Sequence, residues 1–318
     1  MMKNLTRAEA AGFLLSHDQF AILTHRRPDG DTLGSAGALC RGLRLAGKQA
    51  WILNNPEAAP KYAPLIRDLT VEAVAADAVL VSVDVPAPSM LPEGSKAYAD
   101  RISLRIDHHA TATSFAANEL VDASRASCAE IIYDVLCHMG VTMDAATAEA
   151  VYTGAATDTG CFRFSNTTAN THRVAAACID HGAQVYPINK AHFDTVSLAK
   201  LRLQGWMAEN SRFSAGGKVA VCALPGRVER QLGVTEDDME SISGFPQSIE
   251  GVVLSAVLRE LDDGRVKISM RAVPGYDVAK LCREFGGGGH VSAAGATVDL
   301  PLEQAAAAAE QALLGQIG

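Results

Sequence analysis

The chain has 318 residues, long enough that two domains are expected, and at 48% hydrophobic residues it can fill sizeable cores. Its formal net charge of −8 excludes a polycation that would coat long-duplex DNA, while nucleotides and short oligomers stay open as partners. No apolar run approaches the roughly 18 residues that cross a bilayer, Glu9 and Asp18 interrupt any secretory core, and seven cysteines without a Cys-x-x-Cys pair argue against a disulfide framework or zinc ribbon.

A cytoplasmic location with no membrane partner is the resulting expectation. Cys40, Cys128, Cys137 and Cys178 fall in predicted helices and read as small buried residues.

After a first helix near Ala8–Leu15, strand and helix alternate. The apolar runs Phe20–His25, Ala50–Asn54, Ala78–Val85 and Ser103–Asp107 read as strands, with helices at Ser35–Ala46 and Ala59–Asp68 between them. Near-continuous apolar strands in β-α-β order predict a mostly parallel sheet covered by helices. From Ser127 to His181 the pattern is helical, in segments 127–139, 144–156 and 168–181, with Gly140 and Gly182 placed to end two of them.

A connector with a helix at Leu198–Glu209 follows, and a second α/β alternation begins. Lys218–Leu224 reads as a strand, Thr235–Ile242 as a helix and Gly251–Leu261 as a strand. Asp262-Asp263-Gly264 is a hairpin-type turn into the strand Arg265–Val273. A helix at Asp277–Phe285, the run Gly286–Gly289, a short strand near Ala296–Val298 and an Ala-rich helix from Leu302 complete the chain. The expected division is a catalytic domain at 1–186, a linker at 187–210 and a smaller α/β domain at 211–318.

Acid and imidazole groups gather where predicted strands and helices end. His25, Asp29 and Asp31 follow the first strand, with Pro28 and Gly30 bending the turn. Asp84 ends the strand before Pro86, Asp107-His108-His109 ends another, and Asp158 precedes Thr159-Gly160. The first cluster alone reads equally as a capped turn, the paired histidines alone can be a surface turn, and Asp84 or Asp158 alone reads first as a turn or capping residue. Together they differ, because a parallel sheet brings the carboxyl ends of its strands to one edge. Several carboxylates in one place repel unless cations compensate them, which makes a two-metal site the natural resolution. Oxygen and imidazole donors without thiolate suit Mn²⁺ or Mg²⁺. Ser35 is expected to cap its helix.

These motifs, in this order, resemble the DHH phosphoesterase superfamily. Gly286-Gly287-Gly288-Gly289-His290-Val291-Ser292-Ala293-Ala294-Gly295 resembles the signature of its associated DHHA1 domain. Length and layout are similar to the stand-alone oligoribonuclease and pAp phosphatase group called NrnA. The resemblance implies that His25 and Asp29 hold one metal, that Asp31, His108 and Asp158 hold the other, and that Asp84 bridges them. Mn²⁺ is the ion it favours. His109 would face the substrate phosphate and Asp107 would fix an imidazole from behind, so Asp84, Asp107, His108 and His109 form the expected catalytic group. In the second domain the backbone of Gly287, Gly288 and Gly289 and the side chains of His290 and Arg271 would bind substrate. Phe162 and Asn166 are weaker candidates for the cleft.

The expected reaction is hydrolysis of short oligoribonucleotides to 5′-mononucleotides and of pAp to AMP. Two other readings stand beside it. One is a phosphodiesterase for c-di-AMP or linear pApA. The other, of a different class, is a non-catalytic nucleotide-binding module. The resemblance admits a homodimer, although no stretch announces an interface.

Overall fold

The structure, a computed structural model, describes residues 3–110, 113–239 and 241–317. It divides into two compact units, Met1–Thr195 and Val196–Gly318.

In the first unit the apolar runs become β2 (Gln19–Leu23), β3 (Gln49–Leu53), β5 (Val79–Val83) and β6 (Ile102–Asp107). Three short strands join them: β1 (Lys3–Asn4), β4 (Thr70–Val71) and β7 (Asn118–Val121). All seven form one parallel sheet in the order β1-β7-β6-β5-β2-β3-β4. Chain direction across the sheet reverses between β2 and β5, which is where open α/β sheets bind ligands.

The helices are α1 (Arg7–Leu15), α2 (Gly30–Leu45), α3 (Cys128–His138), α4 (Ala145–Asp158), α5 (Ala169–Asp180) and α6 (Val185–Asn189). Side-chain alternation along the strands builds two separate cores. Phe20, Ile22, Val81, Val83, Leu104 and Ile106 pack with residues of α1 to α5. Ala21, Leu23 and Leu80 face the other way, into a core shared with Leu91, Ile102 and Ala116. That face lies partly under the 3₁₀ segments Pro88–Met90 and Glu93–Arg101, so the cover on this side is not α-helical. Ala59–Asp68 is likewise not an α-helix. It is a 3₁₀ segment, Pro60–Ile66, because Pro64 inside it supplies no N–H donor. Gly140 and Gly182 follow α3 and α5 with positive φ, as the sequence predicts. Cys137 is exposed, unlike Cys40, Cys128 and Cys178, because it sits on the solvent side of the last turn of α3.

The second unit carries α7 (Leu198–Asn210), β8 (Arg212–Ser214), β9 (Val219–Leu224), α8 (Gly226–Leu232), β10 (Leu254–Glu260) and β11 (Val266–Ala272). After these come α9 (Val278–Glu284), β12 (Gly288–His290), β13 (Ala293–Val298) and α10 (Leu302–Leu314). The six strands form a mixed sheet, β12-β13-β11-β10-β9-β8, in which only β9 and β10 run parallel. Val221, Leu254, Leu258, Ile268 and Met270 make its core with Leu281, Ala305 and Ala309 of α9 and α10.

The helix expected at Thr235–Ile242 does not form. Glu236–Met239 are turns, Glu240 lies outside the described residues, and a 3₁₀ segment occupies Ile242–Ser248. The helix of this region is α8, ended by Gly233 in the left-handed conformation. Its seven residues are too few for periodicity to reveal it. Among the described residues no helix is long and apolar enough to cross a membrane.

Candidate metal centre

Three neighbouring strands, β6, β5 and β2, deliver polar residues from their carboxyl ends. Asp84 extends β5 by one ladder bond, its N–H donating to the Ile106 carbonyl at 2.9 Å. Its φ of 57° then turns the chain sharply, a left-handed conformation that costs a non-glycine residue about 1 kcal/mol. His25 follows β2, and its Nδ1 lies 2.6 Å from the Arg26 carbonyl. A proton held there leaves Nε2 free, 3.7 Å from Asp84 Oδ2.

The turn after His25 is shorter than the sequence suggests. Helix α2 begins at Gly30, and Asp29, not Ser35, is its N-cap, accepting from the Thr32 N–H at 3.0 Å. Ser35 lies inside the helix, with its hydroxyl 3.3 Å from Asp31 Oδ1. The early start puts Asp31 in the first helical turn. It also lets α2 and α4 approach closely: a Cβ on Gly34 would stand 2.5 Å from the Ala150 carbonyl and 2.9 Å from the Gly154 nitrogen. That approach brings Asp31 on α2 into one cluster with Asp158, the last residue of α4.

Ligand atoms converge in two groups within 4.8 Å, His25 with Asp29 and Asp84, and Asp31 with His108 and Asp158. Asp84 also groups with His108 and His109. His108 Nε2 lies 3.7 Å from Asp31, 3.6 Å from Asp84 and 3.5 Å from Asp158. Asp31 is further held by N–H donors at the start of α3, Cys128 at 2.7 Å and Ala129 at 2.9 Å. Neither donor is visible as a partner from sequence, since they lie almost a hundred residues away.

Asp84 Oδ2 accepts from the Thr32 hydroxyl at 2.6 Å, whereas the buried Oδ1 has no hydrogen-bond partner. A buried carboxylate oxygen without a donor is costly, and a cation beside it removes the cost. This donor set therefore fits a pair of hard divalent ions.

Electrostatics agree. Burial, together with Asp31 and Asp29 nearby, pushes the Asp84 pKa well above the usual carboxylate value. Burial chiefly raises Asp31. Burial, then Asp31 and Asp29, take Asp158 from 3.8 to about 8. The stability consequence has a definite sign. A carboxyl whose pKa is higher folded than unfolded gives stability that is complete below the unfolded value and disappears as pH rises through the folded one. Metal-free protein is therefore expected to lose several degrees of melting temperature between pH 4 and pH 8, and the gain from added Mn²⁺ should grow over the same interval. Thermal melts in EDTA and in Mn²⁺ across that range check this; a metal-free melting point that rises with pH would contradict it.

Behind the ligands lies Asp107, and behind it a buried arginine that sequence reading misses. Asp107 Oδ1 accepts from the backbone N–H of His108 at 2.8 Å and of His109 at 3.2 Å, and lies 2.8 Å from His109 Nδ1. The bond to Asp107 raises the His109 pKa against the effect of burial and favours the imidazolium. For Asp107, burial raises the pKa, but its bonds and attraction to His109 leave it below the ordinary value. Its Oδ2 lies 3.6 Å from Arg105, which is 1% exposed and also 3.6 Å from Glu119. The Arg105 guanidinium lies over the Phe115 ring and donates to the Thr113 carbonyl. Glu119 in turn accepts from Ser114, Phe115 and Ala116. Arg105 thus joins the support of His109 to the strand-connecting loop.

Of the weaker sequence candidates, Phe162 packs inward against Tyr152 and His172. Asn166 is exposed and braces the turn by donating to the Asp158 and Ala126 carbonyls.

In the second unit the glycine run is not an open loop. The Gly286 and Gly287 N–H groups donate to the Arg283 and Cys282 carbonyls at the end of α9, so the Gly287 N–H is already engaged. Gly288–His290 form the edge strand β12. Register then brings two of the candidates together. Arg271 pairs with Ala293, and Ala293 pairs with His290. Directly opposed residues share a face, so Arg271 and His290 flank one alanine, roughly 10 Å apart. Arg271 is half-buried and donates to the Ser243 hydroxyl at 2.8 Å and to its neighbouring Met270 carbonyl at 2.9 Å.

Gly289 has φ 146°, and a Cβ there would stand 2.6 Å from both the Ala293 carbonyl oxygen and the Ala294 Cα. Gly289→Ala is expected to destabilise the β12–β13 pair by about 1–3 kcal/mol. Calorimetric melting checks this; a variant as stable as wild type would contradict the close packing.

Comparison with known proteins agrees with this geometry. Residues 19–155 match the model of the DHH family, N-terminal domain, and residues 216–315 match that of the DHHA1 domain. A Thermus thermophilus bifunctional oligoribonuclease and PAP phosphatase, NrnA, is 34% identical over 89% of this chain and 86% of its own. The protein of the same name from Bacillus subtilis is 26% identical over 89% of this chain and 90% of its own. A crystal structure of an exopolyphosphatase-related protein from Bacteroides fragilis has a TM-score of 0.87 at 25% identity, covering 97% of this chain and 96% of that one.

Proposed function

The chain belongs to the DHH family and carries a DHHA1 domain, and from that premise we propose that it is a two-metal phosphoesterase for short nucleotide substrates. It would hydrolyse short oligoribonucleotides to 5′-mononucleotides and pAp to AMP; the NrnA relatives are named bifunctional oligoribonuclease and PAP phosphatase. The observation that carries this reading is Asp84: it groups with His25 and Asp29 on one side and with His108 and His109 on the other, and presents a buried oxygen with no hydrogen-bond partner.

His25, Asp29 and Asp84 would hold one ion, and Asp84, Asp31, His108 and Asp158 the other, most simply Mn²⁺, with Mg²⁺ the other candidate. Bound there, two divalent ions activate water and stabilise charge on the phosphoryl oxygens. The chain's own residues do the rest. Thr32 and the first turn of α3 fix the carboxylates. His109, oriented by Asp107 and favoured as the imidazolium, donates from Nε2 to a substrate oxygen.

The domain assignment is 1–186 for the metal centre and 211–318 for substrate recognition, with 187–210 as connector. Arg271 and His290 supply a planar cation and a donor on one sheet face, suited to stacking and to phosphate. The glycine backbone contributes through Gly288 and Gly289. The protein works in the cytoplasm on short RNA.

The test is a side-by-side assay of pAp, diadenylate, longer RNA and c-di-AMP with Mn²⁺. Turnover of diadenylate and pAp ahead of the others is expected. Preference for c-di-AMP would move the assignment to a cyclic-dinucleotide phosphodiesterase. Absence of metal-dependent turnover of bis-p-nitrophenyl phosphate would leave a non-catalytic binding module. Arg271→Ala should raise KM for diadenylate about tenfold, the weight of one charge-assisted bond. Unchanged rates on every substrate would remove the second unit from recognition.

A further inference from the structure

Beside the metal centre, within the first unit, lies a cavity of about 610 Å³. His25 forms part of its wall, so the cavity adjoins the ligand cluster. Arg26, Arg27, Met90, Leu91 and Lys96 line it further. Its volume is within the range of small-molecule sites.

Its charges are unevenly committed. Lys96 pairs with Glu93 at 2.5 Å. Arg26 and Arg27 are both exposed, and among the described residues neither guanidinium has an ion pair or side-chain hydrogen bond. Glu57, also on the wall, is the remaining acid. Two free guanidinium groups against one free carboxylate make an anion site, and the planar fork of arginine fits phosphate oxygens in pairs. Met90, half-buried, and Leu91, fully buried, give the cavity an apolar side.

The backbone adds a second observation. Arg27 has φ 50°, a left-handed conformation that glycine would adopt freely, and it precedes Pro28, which restricts it further. Arg26 is tied to another lining residue by its N–H, which donates to the Met90 carbonyl at 2.7 Å. The chain therefore holds a long cation in a conformation unfavourable to it, on the wall of a cavity that His25 also lines. Strained residues of this kind collect at ligand sites.

We propose that this cavity is a subsite for the uncleaved phosphate of the substrate, bound by Arg26 and Arg27. The inference rests on the phosphoesterase reading above and deepens it. A nucleoside bisphosphate and a short oligoribonucleotide have one thing in common besides the scissile group, namely a second phosphate one nucleoside away. A single subsite for that phosphate, next to a single metal centre, accounts for both substrate classes. The apolar side of the cavity receives part of the nucleoside between the two phosphates.

The double variant Arg26→Ala/Arg27→Ala tests this in two arms. In the first, anisotropy of 3′-fluorescein-labelled pApA is measured in EDTA, so binding is read whether or not the chain cleaves the probe. Kd is expected to rise at least about tenfold in the double variant, and much less in Lys48→Ala, a surface cation at the opposite, amino end of β3. In the second, kcat/KM is measured with Mn²⁺ for pAp, for diadenylate and for bis-p-nitrophenyl phosphate, which lacks a second phosphate. The ratio of either nucleotide substrate to bis-p-nitrophenyl phosphate should fall about tenfold, through KM, and Arg26→Lys/Arg27→Lys should recover part of it. Unchanged binding of the probe, failure of wild type to bind it, or an equal loss on all three substrates would overturn the subsite. Arginine-dependent binding with no turnover of any nucleotide would leave the subsite standing and overturn the phosphoesterase reading instead.

Discussion

Asp84→Asn should reduce metal-dependent hydrolysis of bis-p-nitrophenyl phosphate by roughly 10³-fold, beyond the 10–100-fold typical of groups that only support a ligand. The reason is its position: it belongs to the group with His25 and Asp29 and also lies 3.6 Å from His108 of the other group, so one substitution removes a carboxylate placed between the two. The same substitution should raise the melting temperature of the metal-free protein. Asp84 is 2% exposed, and burial with Asp31 and Asp29 already holds its pKa well above normal, so its charge opposes folding when no cation compensates it. Activity and metal-free stability thus move in opposite directions, which a residue serving only the fold would not do. Melting in EDTA, isothermal titration with Mn²⁺ and the hydrolysis assay check all three. An active Asp84→Asn enzyme, or one that melts below wild type in EDTA, would refute the ligand assignment.

Arg105→Met should destabilise the first unit by about 3–5 kcal/mol, the usual cost of removing one partner from a buried ion pair. The methylenes of methionine replace much of the packing, so the loss falls on charge. Asp107 and Glu119 would both lose the cation they share, and the guanidinium bond to the Thr113 carbonyl would go. Activity should fall as well, through kcat, since Asp107 orients His109. Adding Glu119→Gln relieves one uncompensated charge and should restore part of the stability. A double-mutant cycle by urea unfolding measures that coupling, expected at about 1 kcal/mol or more. Additive single effects would mean that Arg105 acts by packing alone.

These two residues mark the boundary of what sequence can reveal. Asp84 was legible because a carboxylate between an apolar strand and Pro86 has no core role, and three other acid or imidazole clusters stand at comparable ends. Arg105 was not legible. On an alternating strand a lone arginine reads as solvent-facing, and only the fold shows that it is buried between Asp107 and Glu119.

Asp31 divides between the two. Its place in the motif was plain, but the α3 N–H groups that hold it arrive from a distant segment. Likewise the glycine run could be found by eye, yet its pairing with β13 could not. That pairing sets His290 in a row with Arg271, while the Gly287 N–H is committed locally, to the Cys282 carbonyl of α9.

Sequence by itself determined the alternation of β and α, the parallel sheet, and the residue types that gather at its carboxyl edge. It could do so because apolar periodicity and turn chemistry act over a few neighbouring residues. Tertiary structure alone decided the two-residue strands β1 and β4, the short β7, the helix start at Gly30 and the displacement of the helix near 235 to Gly226–Leu232. Segments this short have too little intrinsic preference to choose a conformation, and pairing or packing with distant chain chooses for them. The same holds for the site. The candidate ligands were written locally, but the N–H donors, the buried arginine and the arginine-lined cavity exist only once remote segments meet.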